Sequence, residues 1–132
     1  MTPVNLQIYG IGSDIVEIAR MRDGLHRFGE RFAQRILAED EFAEFKDNRQ
    51  SAHFLARRFA AKEALSKALG SGFRDGVSLR TLGIGHDAFG KPLVVYHGPA
   101  LETINRLGIS ESLLSISDER DYALAFAILL RR

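Results

Sequence analysis

Asp14 and Glu63 are the carboxylates in this chain whose neighbours suggest chemistry. Asp14 lies in GIGSDIVEI, where an apolar stretch follows a pair of glycines. Glu63 lies in RRFAAKEALSKALGSG, directly after Lys62 and one helical turn before Lys67. Two carboxylates with open water positions are what Mg²⁺ uses when it also holds substrate phosphates. Each acid has a plainer reading too. Asp14 suits a turn, or the N-cap of a helix starting at Glu17. Glu63 and Lys67 suit an i, i+4 helical pair that contributes about 0.2–0.5 kcal/mol.

The helix that carries Glu63 is unusual in where it puts charge. With Phe54 at zero and about 100° per residue, Phe54, Leu65, Leu69, Leu55 and Phe59 span an arc of about 140°. Arg58 falls near 40° and Lys62 near 80°, inside that apolar arc, and Glu63 falls near 180°, just beyond Phe59. Long cationic side chains can lie along apolar surface and keep their heads in water. The alternative is that this face lines a site, with a carboxylate for a metal and with Arg58 and Lys62 for phosphates. Unpaired buried charge costs several kcal/mol on the order-of-magnitude scale, so charges on a core face imply partners or a polar cleft.

Other site chemistries lack their residues. The GxG at residues 10–12 has no third glycine of a dinucleotide fingerprint, and GKP at residues 90–92 lacks Walker A spacing and its Ser or Thr. His26, His53, His86 and His97 show no metal-ligand spacing, and no Cys is present, which argues against zinc and against disulfides. A net charge of +1 gives no global field for nucleic acid, so a charged partner must meet a local patch. Arg20, Arg22, Arg27, Arg31 and Arg35 form such a stretch, opposed only by Asp23 and Glu30. By itself a charge run is usually a solvated face.

The elements that must position these residues read as follows. A chain of 132 residues, 45% hydrophobic and 27% charged, points to one soluble domain over residues 1–132 with a core of its own. No apolar run reaches the roughly 18 residues of a membrane span, and MTPVNLQIYG lacks the layout of a secretory leader, so the cytoplasm is the expected location. Residues 6–16 read as a strand ending near Ser13 and Asp14. Residues 17–27, 30–36 and 39–46 read as short helices. The long helix is expected from about Asn48 to Leu69, stopped by Gly70 and Gly72. Residues 77–86 and 92–97 read as strands around a turn containing Gly90, and 99–107 as a helix opened by Pro99. Residues 112–117 and 121–130 read as a closing hairpin around DER. This order predicts an α+β fold, with an antiparallel sheet packed on one long helix and short helices around it.

Five stretches taken in order, IGSDIVEIARM, RFAQRIL, FLARRFAAKEALSKALGSG, DAFGKP and SISDERDYALAFAIL, resemble the holo-[acyl-carrier-protein] synthases, the small 4′-phosphopantetheinyl transferases. The resemblance runs from about residue 8 to residue 130. It implies the 4′-phosphopantetheinyl transferase fold. It also implies transfer of 4′-phosphopantetheine from coenzyme A to a serine of apo acyl carrier protein, releasing adenosine 3′,5′-bisphosphate. Dependence on Mg²⁺, a role in fatty acid biosynthesis and a homotrimer with sites between protomers are further implications. By the same resemblance Asp14 and Glu63 hold the metal. Lys67, and less directly Lys62, reach the diphosphate, and Glu63 is the best acceptor for the serine proton. GSGFRDG with Arg74, and DAFGKP with Gly90, Lys91 and Pro92, are expected along coenzyme A. Arg20, Arg27 and Arg31 fall in the segments that meet the acidic carrier protein. One departure is Asp118, where many relatives carry His; an acid there would repel a diphosphate unless a cation or water faced it.

Two other classes fit part of the pattern. A Mg²⁺-dependent nucleotide or coenzyme A phosphohydrolase shares the metal and lysine logic but needs no carrier protein. An RNA- or carrier-binding module would use the arginine stretch, yet it should show stacking aromatics or an overall basic bias, and it leaves Asp14 without a role.

Overall fold

The computed structural model describes residues 5–132; the first four, part of the stretch read for a leader, lie outside them. The chain runs β1 (Gln7–Glu17), α1 (Ile18–Phe28), α2 (Glu30–Ile36), α3 (Glu39–Lys46) and α4 (Ser51–Leu69). It continues through a single 3₁₀ turn (Leu79–Thr81), β2 (Leu82–His86), β3 (Pro92–Tyr96), α5 (Pro99–Leu107), β4 (Ile109–Asp118) and β5 (Tyr122–Arg131).

The α+β expectation holds, with one refinement. The strands form two antiparallel sheets rather than one: β1-β5-β4 and the hairpin β2-β3. The two are joined by a hydrogen bond between the hydroxyls of Tyr96 and Ser112, 2.5 Å apart. The predicted strand at residues 77–86 is shorter than expected. Ser78 and Thr81 cap each other's backbone N–H groups, and this local exchange replaces ladder pairing at its start.

Helix α4 begins later than expected. Asn48 Oδ1 accepts the Gln50 N–H at 2.8 Å, which spends the Asn on a turn preceding the helix. Gly70 closes it in the left-handed conformation, φ 82°, as the glycine pair suggested. The helix is not amphipathic in the ordinary sense: twelve of its nineteen residues are buried, many of them alanines. It is enclosed by the inner face of β1-β5-β4 on one side and by α1, α2, α3 and β2 elsewhere. Small side chains let these elements approach from several directions at once.

β5 shows the period of two that a half-covered strand requires. Ala123, Ala125, Ala127 and Leu129 turn toward α4 and are fully buried. Leu124 and Phe126 lie on the other face, with Ile11, Ile15 and Leu113 from its neighbours, all exposed. The sheet thus presents an apolar outer surface that no described element covers.

Candidate active site

Asp14 reaches the site because β1 lies almost against the backbone of α4. A Cβ added at Gly12 would stand 2.1 Å from the Ala64 carbonyl oxygen, and one at Gly10 would stand 1.9 Å from that of Ala68. No side chain fits in either place. The period of two that puts Gly10 and Gly12 on the helix side also puts Asp14 there. The strand does not end at Asp14 but continues to Glu17, with Asp14 opposite Ala125 in the ladder. Asp14 is therefore neither a turn residue nor a helix cap, and Glu17 precedes α1.

Lys67 stands over this strand. Its Nζ donates to Asp14 Oδ1 at 3.0 Å and to the Ser13 carbonyl oxygen at 3.0 Å. The lysine is exposed, whereas only 17% of the Asp14 side chain is accessible. Glu63 lies one turn before Lys67, half-buried, and its carboxylate has no hydrogen-bond or ion-pair partner among the described residues. Burial raises its pKa above the ordinary carboxylate value, and the charge of Asp14 raises it further, against smaller opposing effects of Lys67 and Arg20. An unpartnered acid whose ionisation is disfavoured by a second carboxylate beside it is a poor arrangement for an empty surface. The two together are a good one for a divalent cation that completes its shell with water and phosphate oxygens. No group of three or more His, Cys, Asp or Glu among the described residues could hold a metal alone.

Arg58 and Lys62 require a correction. They were expected to bind coenzyme A phosphates, and the structure instead commits both to the interior. Lys62 is fully buried, and its Nζ donates to Glu41 Oε1 at 2.5 Å, to the Ile36 carbonyl at 2.7 Å and to the Leu79 carbonyl at 2.8 Å. All three ammonium protons are thereby used. Burial lowers its pKa, and Glu41 partly offsets this. Arg58, also buried, donates to Glu41 Oε2, to Glu44 Oε2 and to the Ile84 carbonyl, and it stacks 4.4 Å from the Phe54 ring centre. Lys62 has no donor left for a ligand, and Arg58 is buried and turned onto three acceptors of the fold. Glu41 was missed by sequence reasoning, because in EDEFAEF it looks like one more exposed helix acid.

The remaining expected residues are exposed, except Pro92, which is half-buried. Arg74 lies in the loop after α4, exposed and without an ion pair among the described residues. Gly90 adopts φ 85° in the β2–β3 turn, where Asp87 Oδ1 accepts the N–H groups of Phe89 and Lys91. These bonds hold the Asp87 carboxyl below its usual pKa. Lys91 is exposed there, and Pro92 opens β3. Arg20, Arg27 and Arg31 are all exposed on α1 and α2. Arg20 lies over Phe59 at 5.8 Å and Arg27 over Phe28 at 5.5 Å. Both line a groove of about 270 Å³ with Gly24, Phe28, Phe32 and Phe59. The question raised by Asp118 has a local answer: Arg57 pairs with it at 3.2 Å. A lone wheel of α4 could not reveal this pair, because Asp118 comes from the far end of β4.

This fold and this pairing of β1 with α4 define a class. Residues 10–127 match the family model of the 4′-phosphopantetheinyl transferase superfamily, and the chain belongs to that family. Among its relatives, the holo-[acyl-carrier-protein] synthase of Halorhodospira halophila is 58% identical over 123 residues, spanning 93% of this chain and 98% of that protein. The crystal structure of holo-[acyl-carrier-protein] synthase from Neisseria meningitidis superimposes with a TM-score of 0.88 at 50% identity, covering 93% of this chain and 98% of that one. The Helicobacter pylori enzyme in complex with coenzyme A gives a TM-score of 0.78 at 32% identity, covering 90% of this chain and 98% of that one.

Proposed function

We propose that residues 1–132 form one transferase domain that moves 4′-phosphopantetheine from coenzyme A to a serine hydroxyl of an apo acyl carrier protein. The observation that carries this reading is the convergence of Asp14, Glu63 and Lys67 at the β1–α4 contact of a chain in this family. In the reaction the serine oxygen bonds to the β-phosphorus, the diphosphate bridge breaks, and adenosine 3′,5′-bisphosphate leaves. Such a step is promoted mainly by positioning and by stabilising charge on the phosphoryl oxygens.

Asp14 and Glu63 are the residues that would hold Mg²⁺. When bound, Mg²⁺ supplies a Lewis acid that clamps the diphosphate oxygens and offsets their charge. Lys67 brings a mobile ammonium to the same oxygens and exchanges its bond with Asp14 for one with phosphate. Glu63 is the acceptor proposed for the serine proton. Arg74, Gly90, Lys91 and Pro92 are proposed along coenzyme A.

The groove edged by Arg20 and Arg27, with Arg31 beside it, suits an acidic carrier protein: cations steer the encounter and the phenylalanines receive apolar side chains. A role in fatty acid biosynthesis follows if the carrier is the fatty-acid one. The bare outer face of β1-β5-β4 is proposed as the contact between protomers of a homotrimer, with sites between them. Sedimentation of the protein should return about three chain masses, and Phe126→Glu on that face about one. No helix among the described residues is long and apolar enough to cross a membrane, and we place the enzyme in the cytoplasm.

Mass spectrometry of an apo carrier protein incubated with this protein, coenzyme A and Mg²⁺ tests the function. The expected result is a gain of one phosphopantetheine, abolished by Glu63→Ala. Breakdown of coenzyme A with no mass gain on any carrier would replace the transferase with the phosphohydrolase.

A further inference from the structure

Glu63 faces the site with nothing of its own to hold it. A metal-binding carboxylate ordinarily takes a hydrogen bond from a neighbour, which fixes its direction. Here the direction depends on the backbone of α4, because residues advance about 100° around the helix axis and a small roll swings Glu63 away from Asp14. The glycine contacts set how closely α4 approaches β1. The alanines buried along the helix at Ala60, Ala61, Ala64 and Ala68 have no side chain long enough to key its roll into a neighbouring element.

The residue beside Glu63 supplies what the alanines lack. Lys62 extends into the opposite side of the core and is held by acceptors from three elements: the end of α2, α3 and the 3₁₀ turn. Glu41 is the centre of this arrangement. Its carboxylate also accepts the Ala38 N–H at 2.8 Å and the Ile84 N–H at 3.3 Å, so it is itself fixed from both α3 and β2. Arg58, one turn earlier on α4, gives the same carboxylate a second grip on the helix at 3.0 Å. On the site side, Ser66 Oγ donates to the Glu63 carbonyl at 2.8 Å and tightens the same turn.

We propose that Glu41 is a positioning residue for metal binding. Through Lys62 it fixes the roll of α4 and so aims the Glu63 carboxylate at the position it shares with Asp14. It touches neither substrate nor metal. This inference rests on the metal role proposed above for Asp14 and Glu63.

The test uses Mn²⁺ as a spectroscopic stand-in for Mg²⁺, with affinity read by electron paramagnetic resonance in the presence of coenzyme A. The main variant is Glu41→Gln combined with Lys62→Met. It removes one charge of each sign, leaves Arg58 paired with Glu44, and replaces a buried ion pair in a way that often preserves stability. Glu41→Asp keeps the charge but shortens the reach, and it decides the matter if the double variant fails to fold. The expected result is a cooperative melt in either variant, with Mn²⁺ affinity lowered about 10–100-fold and the KM for carrier protein unchanged. Folded variants that bind Mn²⁺ as the parent does would overturn the inference, provided Asp14→Asn loses the ion. Unchanged affinity in Asp14→Asn would instead overturn the metal reading itself, and this inference with it.

Discussion

Helix α4 carries two groups of charge, reached from adjacent residues, and they obey opposite rules. On one side, Lys62 and Arg58 enter the core: Lys62 gives its three donors to Glu41 and to two backbone carbonyls, and Arg58 donates to Glu41, to Glu44 and to the Ile84 carbonyl. On the other, Glu63 is half-buried beside Asp14, its carboxylate unpartnered and its pKa raised. The first group is satisfied and therefore closed to ligands. The second keeps an unpartnered carboxylate beside Asp14, where the proposed cation would sit. Charge satisfied within the chain serves the fold, and charge left unsatisfied at an accessible edge is where binding is proposed. Residue type does not separate the two cases, since both contain carboxylates and lysines.

Breaking the closed group should have the largest effect. Lys62→Ala leaves Glu41 with one fewer buried cation and leaves two carbonyls without a donor, and it is expected to cost about 3–5 kcal/mol of stability. Urea denaturation measures this directly. A folded Lys62→Ala protein with ordinary stability and a raised KM for coenzyme A would instead return Lys62 to the phosphate site.

The join between β1 and α4 comes next. Gly12→Ala puts a methyl group where only 2.1 Å is free before the Ala64 oxygen, and backbone cannot yield cheaply. The strand must move outward, at a cost of about 1–3 kcal/mol. Asp14 moves with it, so transfer activity should fall by more than the loss of folded protein explains. Comparing activity per folded molecule, from circular dichroism and turnover on one sample, separates the two effects.

The smallest effect sharpens the contrast best. Glu63→Gln removes a charge that the folded state disfavours, so the metal-free protein should melt about 1–3 °C higher at neutral pH while transfer is lost. The sign follows from the raised pKa. The neutral carboxyl is the favoured form in the fold, so its contribution is complete below the unfolded pKa and is lost as pH rises through the folded one. The melting gain should therefore vanish in acid. A variant that melts lower at pH 7 would mean that Glu63 has a partner in the fold.

Much of this arrangement was legible in the chain. The boundaries of α5 follow from Pro99 and Gly108, and the end of α4 follows from Gly70, because these residues fix local backbone geometry wherever they occur. Chemistry joined to resemblance put Asp14 and Glu63 at one site, and in the fold the charge of Asp14 does act on Glu63. The glycines of GIGSD were harder. As a fragment of a nucleotide loop they carried little weight, and their use as the flat surface on which α4 rests appears only when the helix is beside them. The wheel of α4 placed Arg58 and Lys62 on a core face correctly, yet a wheel contains one helix and so could not supply Glu41.

The sequence by itself determined where the backbone must turn and stop, which strand faces are apolar, and which family the motifs resemble. These depend on residues close together along the chain, or on periods that a single element carries. Tertiary structure alone decided which charges are spent and which are free. That outcome depends on whether an acceptor from a distant segment arrives within about 3 Å. Glu41 arrives at Lys62 and Arg58, Asp118 arrives at Arg57, and nothing among the described residues arrives at the Glu63 carboxylate.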